Sequence, residues 1–270
     1  MSQREKGSGF TWDAADYAHS SPAQKQWAGE LITKMHLTGR ERVLDIGCGD
    51  GRVTAAIAAC LPNGSVTGID RSPAMIRFAR EQYPVGKYPN LSFVEGDAQG
   101  LQHREQFDVV FSNAALHWIY DHGPVLAGIS RALVHGGRMI VRMGGKGNAD
   151  GIFAALREIR DDPAWGRYFS GFSFCYGFFS PDEYRPWLES VGLFPLRVEL
   201  IPKEMVYPDR EGLAGWVRTT WLPYLERVPE ERRLIFVDTL VDRYLSVYPP
   251  GCDGTIRVAM VRLEIEAKKP

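Results

Sequence analysis

Val43-Leu44-Asp45-Ile46-Gly47-Cys48-Gly49-Asp50-Gly51-Arg52-Val53-Thr54 is the stretch on which the reading of the whole chain turns. Val43, Leu44 and Ile46 make a short apolar run of the kind that fills a buried strand. Three glycines follow at alternate positions, and Val53, Ala56, Ile57 and Leu61 then recur at helical spacing. The segment predicts strand, glycine turn and helix, in that order. Glycine in such a turn admits left-handed backbone angles and leaves room for a ligand beside the main chain.

Two kinds of protein use a turn like this. A dinucleotide-binding turn requires G-x-G-x-x-G, with the third glycine packing helix on strand. Gly47 and Gly49 set that register here, but Arg52 occupies the third position. The spacing is instead Asp45-x-Gly47-x-Gly49-x-Gly51, with a carboxylate inside the strand. It resembles the first motif of the class I S-adenosylmethionine-dependent methyltransferases. On this stretch alone, a glycine turn in some other α/β protein stays open.

Downstream, Ser65-Val66-Thr67-Gly68-Ile69 reads as a second strand ending at Asp70. Ser72 and Pro73 then open a helix with Met75, Ile76 and Ala79 on its inner face. An acid at the tip of the second strand is placed to accept both ribose hydroxyls of a nucleoside, whichever cofactor carries it. Leu91 to Gly96 is a third strand, followed by Asp97-Ala98. The resemblance implies that this acid meets the adenine amine while the next amide faces a ring nitrogen; a nicotinamide enzyme has no such need. Phe107 to Asn113 is a fourth strand, and Leu116-His117-Trp118 matches the family's fourth motif, beside the methionine part of the cofactor and the methyl acceptor. Leu126, Ile129 and Leu133 mark a helix, and Gly136-Gly137 leads into a fifth strand, Arg138 to Met143. Strands alternating with helices at these lengths predict an α/β fold with a mostly parallel sheet, its ligand at the carboxyl ends of the strands.

Upstream, Tyr17, Ser20 and Gln24 precede a helix whose face carries Trp27, Leu31, Ile32 and Met35; this segment is expected to fold over the ligand. Residues 10–143 thus form the cofactor-binding unit and 144–270 complete the sheet. In the second part, Leu196 to Ile201 reads as a sixth strand and Ile256 to Glu266 as a last one, which the resemblance makes the seventh and antiparallel. Segments 144–180 and 208–250 are extra on that template and are expected to form a helical cap. Asp209 to Tyr248 reads as helical, with Leu234, Val237, Val241, Tyr244 and Tyr248 on one face.

The 270 residues are 44% hydrophobic and 24% charged with a net charge of -1, an ordinary globular composition without global attraction to nucleic acid or anionic membrane. No apolar run is long enough to span a bilayer. Cys48, Cys60, Cys175 and Cys252 show no metal-type spacing. A cytoplasmic, monomeric enzyme without metal and with a small-molecule acceptor is the simplest reading.

The motifs together identify a Rossmann-like, seven-stranded methyltransferase. Gly215-Trp216-Val217-Arg218-Thr219-Thr220-Trp221-Leu222-Pro223-Tyr224-Leu225, the opening segment and the Leu116-His117-Trp118 loop are similar to trans-aconitate and related small-carboxylate methyltransferases. The resemblance implies S-adenosylmethionine as cofactor, expected to be contacted by Tyr17, Ser20, Gln24, Asp45, Gly47, Cys48, Gly49, Asp70, Arg71, Met75, Asp97, Ala98 and Asn113. A carboxylate acceptor needs no base, only a cationic grip that Arg218 is expected to supply. Trp118 or Trp216 is expected to face the sulfonium. A hydroxyl acceptor would need a base, for which His117 is the candidate. N- or C-methylation, a non-catalytic S-adenosylmethionine-binding protein and a nicotinamide dehydrogenase are the alternatives.

Overall fold

Seven strands form one sheet in the order β3-β2-β1-β4-β5-β7-β6. The computed structural model describes residues 29–172 and 176–270, so Tyr17, Ser20, Gln24, Trp27 and Cys175 lie outside the described residues. Strands β1 (Arg42–Ile46), β2 (Ser65–Asp70), β3 (Leu91–Glu95), β4 (Phe107–Asn113) and β5 (Leu133–Gly144) run parallel. β7 (Ile256–Lys268) runs antiparallel to both β5 and β6 (Phe194–Tyr207). The chain moves outward through β2 and β3, then returns to the other side of β1 with β4. That reversal opens a crevice at the strands' carboxyl ends, between β1 and β4.

Alternation along each strand feeds two cores. Phe111 and Ile140 pack with Leu31, Met35 and the helices α1 (Arg52–Ala59) and α2 (Pro73–Gln82). Val110 and Met139 pack on the other face with α3 (Gly123–Ala132). Ser72 caps α2, its hydroxyl accepting from the Met75 N–H at 3.4 Å, and Met75, Ile76 and Ala79 are buried. In α1 the buried residues are Thr54, Ile57 and Ala58 while Ala56 is exposed. This corrects the expected face, because the Thr54 hydroxyl is drawn inward to donate to the buried Asp45 carboxylate at 2.7 Å.

β6 is longer than the sequence suggests. Pro202 does not end it at Ile201, because β6 is an edge strand and a missing ladder donor there costs little. Pairing of β5 with β7 stops at Gly144–Arg262, whereas β6 and β7 stay paired out to Tyr207–Ile256. A two-stranded ribbon therefore overhangs the carboxyl ends of the parallel strands. Its Met205, Tyr207, Ile256, Val258 and Met260 join a separate core with α4 (Asp150–Asp161), α6 (Arg210–Thr220), α7 (Leu222–Leu225) and α8 (Arg233–Val247). α5 (Pro181–Ser190), started by a Ser180–Glu183 capping box, packs through Tyr184 and Leu188 into the sheet core beside α3. Segment 208–250 is thus several helices rather than one, interrupted at Trp221 and Pro229. On α8 the buried arc centres on Leu240, so Leu234, about 120° away at 3.6 residues per turn, is 65% exposed and Tyr248 falls beyond the helix end. Among the described residues no helix is long and apolar enough to cross a membrane.

Candidate cofactor and acceptor site

A pocket of about 520 Å³ occupies the crevice, lined from β1 by Gly47 and Gly49, from β2 by Asp70, Arg71 and Met75, from β3 by Asp97 and Ala98, and from β4 by Ala114, Ala115 and Trp118. The first turn is tied to β2: the N–H groups of Gly47 and Cys48 both donate to the Ile69 carbonyl, at 2.8 and 3.0 Å. Gly47 has φ 77°, and a Cβ there would lie 2.2 Å from the Ala115 Cβ. The Gly47 backbone therefore faces the Ala115 methyl across the pocket floor with no room for a side chain, which only glycine permits. On the opposing loop Ala114 itself adopts φ 55°, a left-handed conformation that alanine rarely takes and that the surrounding packing must enforce.

Asp70 is held by two main-chain donors. Its carboxylate accepts from the Gly49 N–H at 2.9 Å and from the Ser72 N–H at 2.8 Å. Burial raises its pKa, and these two donors oppose the rise. Asp97 stands across the pocket, exposed, and caps a short 3-10 turn by accepting from the Gln99 N–H at 2.8 Å.

Several residues singled out from sequence lie elsewhere. Asp45 is 2% exposed, turned beneath the glycine turn to Thr54, and does not line the pocket. Burial, with the nearby Asp70 charge, pushes its pKa up to about 7. The Cys48 side chain is buried against Gly68, and burial pushes its thiol well above the ordinary range. Asn113 ends β4 outside the lining, its place at the rim taken by Ala114. Trp216 is buried in the cap core against Tyr207 and Trp221. Arg218 is also outside the lining and reaches Glu211 at 3.4 Å on its own helix.

The methyltransferase-domain family matches residues 37–191, more than half of the chain and the whole of the pocket just described. The chain belongs to this methyltransferase family. A trans-aconitate 2-methyltransferase of Methylobacterium nodulans is 28% identical over 261 residues, covering 96% of this chain and 98% of that one. Among solved structures, the YcgJ protein of Bacillus subtilis superposes with a TM-score of 0.61 at 18% identity, covering 91% of this chain and 98% of that one. A Haemonchus contortus phosphoethanolamine N-methyltransferase in complex with S-adenosylhomocysteine gives 0.61 at 19% identity, covering 95% of this chain and 57% of that one. At such identities these two structures speak for the fold alone. The chain is a methyltransferase with S-adenosylmethionine as its cofactor.

In this methyltransferase the loop after β4 is the seam between pocket and cap. Trp118 lines the pocket and packs against Tyr176, ring centroids 5.3 Å apart. His117 points away from the lining, toward Phe178 at 5.8 Å, and its Nδ1 accepts from the Gly144 N–H at 3.4 Å. Burial and then the positive field of Arg262 hold its pKa down to about 3. Arg262 is 6% exposed on β7 and donates to the Asn148 side-chain oxygen at 3.4 Å.

Sequence reasoning missed His122, which fixes this loop. Its Nε2 contacts the Leu116 and Ile119 carbonyls, each at 3.0 Å, and its Nδ1 lies 2.8 Å from the Tyr184 hydroxyl. Two carbonyl partners require Nε2 to carry the proton, so Nδ1 accepts from Tyr184. Burial lowers the His122 pKa, which agrees with a neutral ring. No side-chain signal marks this residue, since two of its partners are main-chain carbonyls of the preceding loop and the third, Tyr184, is brought to it by folding.

Proposed function

We propose that this methyltransferase methylates a carboxylate oxygen of a small organic acid. The observation that carries the reading is the state of His117. The sequence offers it as the one base beside the acceptor, yet its pKa near 3 and its bond from Gly144 leave it neutral and a weak base. A site in which this histidine is no base suits an acceptor that is already ionised, as a carboxylic acid with a pKa of about 4 is at neutral pH. The full-length similarity to trans-aconitate 2-methyltransferases supports the same class.

The pocket's groups fit the cofactor. Asp70, fixed by two amides, is oriented to accept from ribose hydroxyls, and Asp97 and the Ala98 amide suit the adenine edge. Arg71 and Met75 flank the same end, and the Gly47–Gly49 backbone suits the amino-acid end. Tyr17, Ser20 and Gln24 belong to this assignment on the sequence resemblance. When bound, S-adenosylmethionine supplies an electrophilic methyl group on a sulfonium. Trp118 presents its ring there, a contact worth about 0.5–2 kcal/mol to a cation. Transfer of that methyl to an ionised oxygen would cancel one negative and one positive charge and would need no proton acceptor from the chain. The chain's work is alignment, and orientation of this kind is worth about 7–11 kcal/mol. Arg262, rather than Arg218, is the cation next to the loop, and its field favours an anionic acceptor. Balanced charge and the aromatic cap support a small molecule, not a nucleic acid, as acceptor, and the acting unit is taken to be a single chain.

Release of S-adenosylhomocysteine from a panel of organic acids, trans-aconitate among them, tests the reading. His117→Gln should keep kcat/KM within a few-fold and leave the activity flat between pH 6 and 8. A drop on the order of 10²–10⁴-fold, the usual worth of a general base, would favour a hydroxyl acceptor instead.

A further inference from the structure

One polar atom in the cap has no explanation within the fold. Among the described residues, the indole Nε1–H of Trp221 has no hydrogen-bond partner, and the residue is only 3% exposed. A buried donor left unmade costs stability, and native interiors keep few of them unless a ligand or a water meets them. Phenylalanine would fill an aromatic core without that cost.

Ring contacts connect this side chain to a wall of the pocket. Trp221 sits at the break between α6 and α7, its ring 4.9 Å from Phe153 and 5.9 Å from Tyr176. Tyr176 stacks on Phe178 at 5.0 Å and meets Trp118 at 5.3 Å. Trp118 is itself a wall of the cofactor pocket. A continuous run of aromatic side chains therefore leads from the pocket rim to this N–H. Such faces suit a flat or apolar carbon skeleton, and the N–H suits one anionic oxygen on it.

We propose that Trp221 is a substrate-binding residue: its Nε1–H donates to the carboxylate oxygen of the acceptor that is not methylated. This rests on the organic-acid reading above. The donor steadies the spectator oxygen while the other oxygen faces the methyl group, so it selects acids over neutral compounds of the same shape.

The test uses the full-length enzyme with S-adenosylhomocysteine bound and two probes, trans-aconitate and trans-cinnamate. Trp221→Phe identifies the indole resonance of residue 221 in a proton–nitrogen spectrum by its disappearance. In the unaltered enzyme that resonance should move downfield when a probe acid is added. In turnover, Trp221→Phe should raise KM for the acid roughly tenfold, as expected for one hydrogen bond to a charged group, with S-adenosylhomocysteine affinity unchanged. Should the phenylalanine variant fold poorly, 3-benzothienylalanine at position 221 keeps the bicyclic ring, replaces only the N–H by sulfur and should give the same rise. An unmoved resonance together with an unchanged KM overturns this inference alone, and a resonance already bonded to an internal water overturns it too. Failure of the unaltered enzyme to methylate any acid overturns the organic-acid reading and this inference with it.

Discussion

Asp45 and Asp70 stand on adjacent, paired strands and meet opposite fates. Asp70 faces the pocket with both oxygens anchored by amides, whereas Asp45 points down onto Thr54. The sequence counted both as cofactor contacts, because a carboxylate beside a glycine turn looks the same in either case. What separates them is how α1 sits on β1, a matter of packing. The cost of burying Asp45 has a definite sign. Its folded pKa of about 7 lies above the ordinary carboxylate value, so the folded state holds the proton more tightly than the unfolded chain. The penalty is absent near pH 4 and below, grows as pH rises, and is complete above pH 7, reaching about 4 kcal/mol for a shift of this size. Asp45→Asn keeps an acceptor for the Thr54 hydroxyl and carries no charge. Thermal unfolding at pH 5 and pH 8 should show the variant gaining on the parent as pH rises; a variant less stable than its parent at pH 8 would contradict the assignment.

At the scale of elements, the decisive piece is the loop of residues 116–119 held between sheet and cap. His122 grips its carbonyls from below, and from above the Gly177 N–H donates to the His117 carbonyl at 2.9 Å. A Cβ on Gly177 would lie 2.3 Å from the Ile119 carbonyl oxygen, so the cap segment crosses the loop in direct backbone contact. Tyr184→Phe removes the donor to His122 Nδ1 and should cost about 1 kcal/mol of stability. Because the histidine then loses its orienting partner, amide hydrogen exchange at residues 116–119 should quicken, and KM for the acid acceptor should rise while S-adenosylhomocysteine affinity holds. Unchanged exchange in this loop would show that the tyrosine is only a core residue. Strand and helix identities here were readable from period and caps. The overhang of β6 and β7 was not, because strand length past Pro202 depends on having a partner on one side only.

For the molecule as a whole, a buried ionic cluster joins the helix at 29–34 to the far half of the sheet. Glu264 on β7 accepts from Arg142 Nε, Lys34 Nζ and Arg197 Nη1, each at 2.7 Å. Glu30 accepts from Lys203 at 3.0 Å. Burial alone would raise the Glu264 pKa, but its cationic partners bring it down to about 2. Its stabilising contribution is therefore present above the ordinary glutamate value near 4.5 and is lost as pH falls toward 2. Glu264→Gln removes the buried carboxylate shared by Arg142, Lys34 and Arg197, leaves Arg142 the longer contact to Glu30 at 3.6 Å, and should cost about 3–5 kcal/mol, read from urea unfolding at pH 7. A loss below about 1 kcal/mol, the range of surface pairs, would mean that solvent reaches the cluster.

By itself the sequence determined the order of strands and helices through β5, the glycine turn, and the two pocket carboxylates Asp70 and Asp97, because period, caps and turn residues act within a few neighbours. Only the tertiary structure decided that Asp45 and Cys48 turn away, that Arg218 stays on its own helix with Glu211 while Arg262 comes beside His117, and that His122 holds the loop. Direction and burial of a side chain depend on which distant element packs against it, and Arg262 reaches His117 only because β7 folds back beside β5.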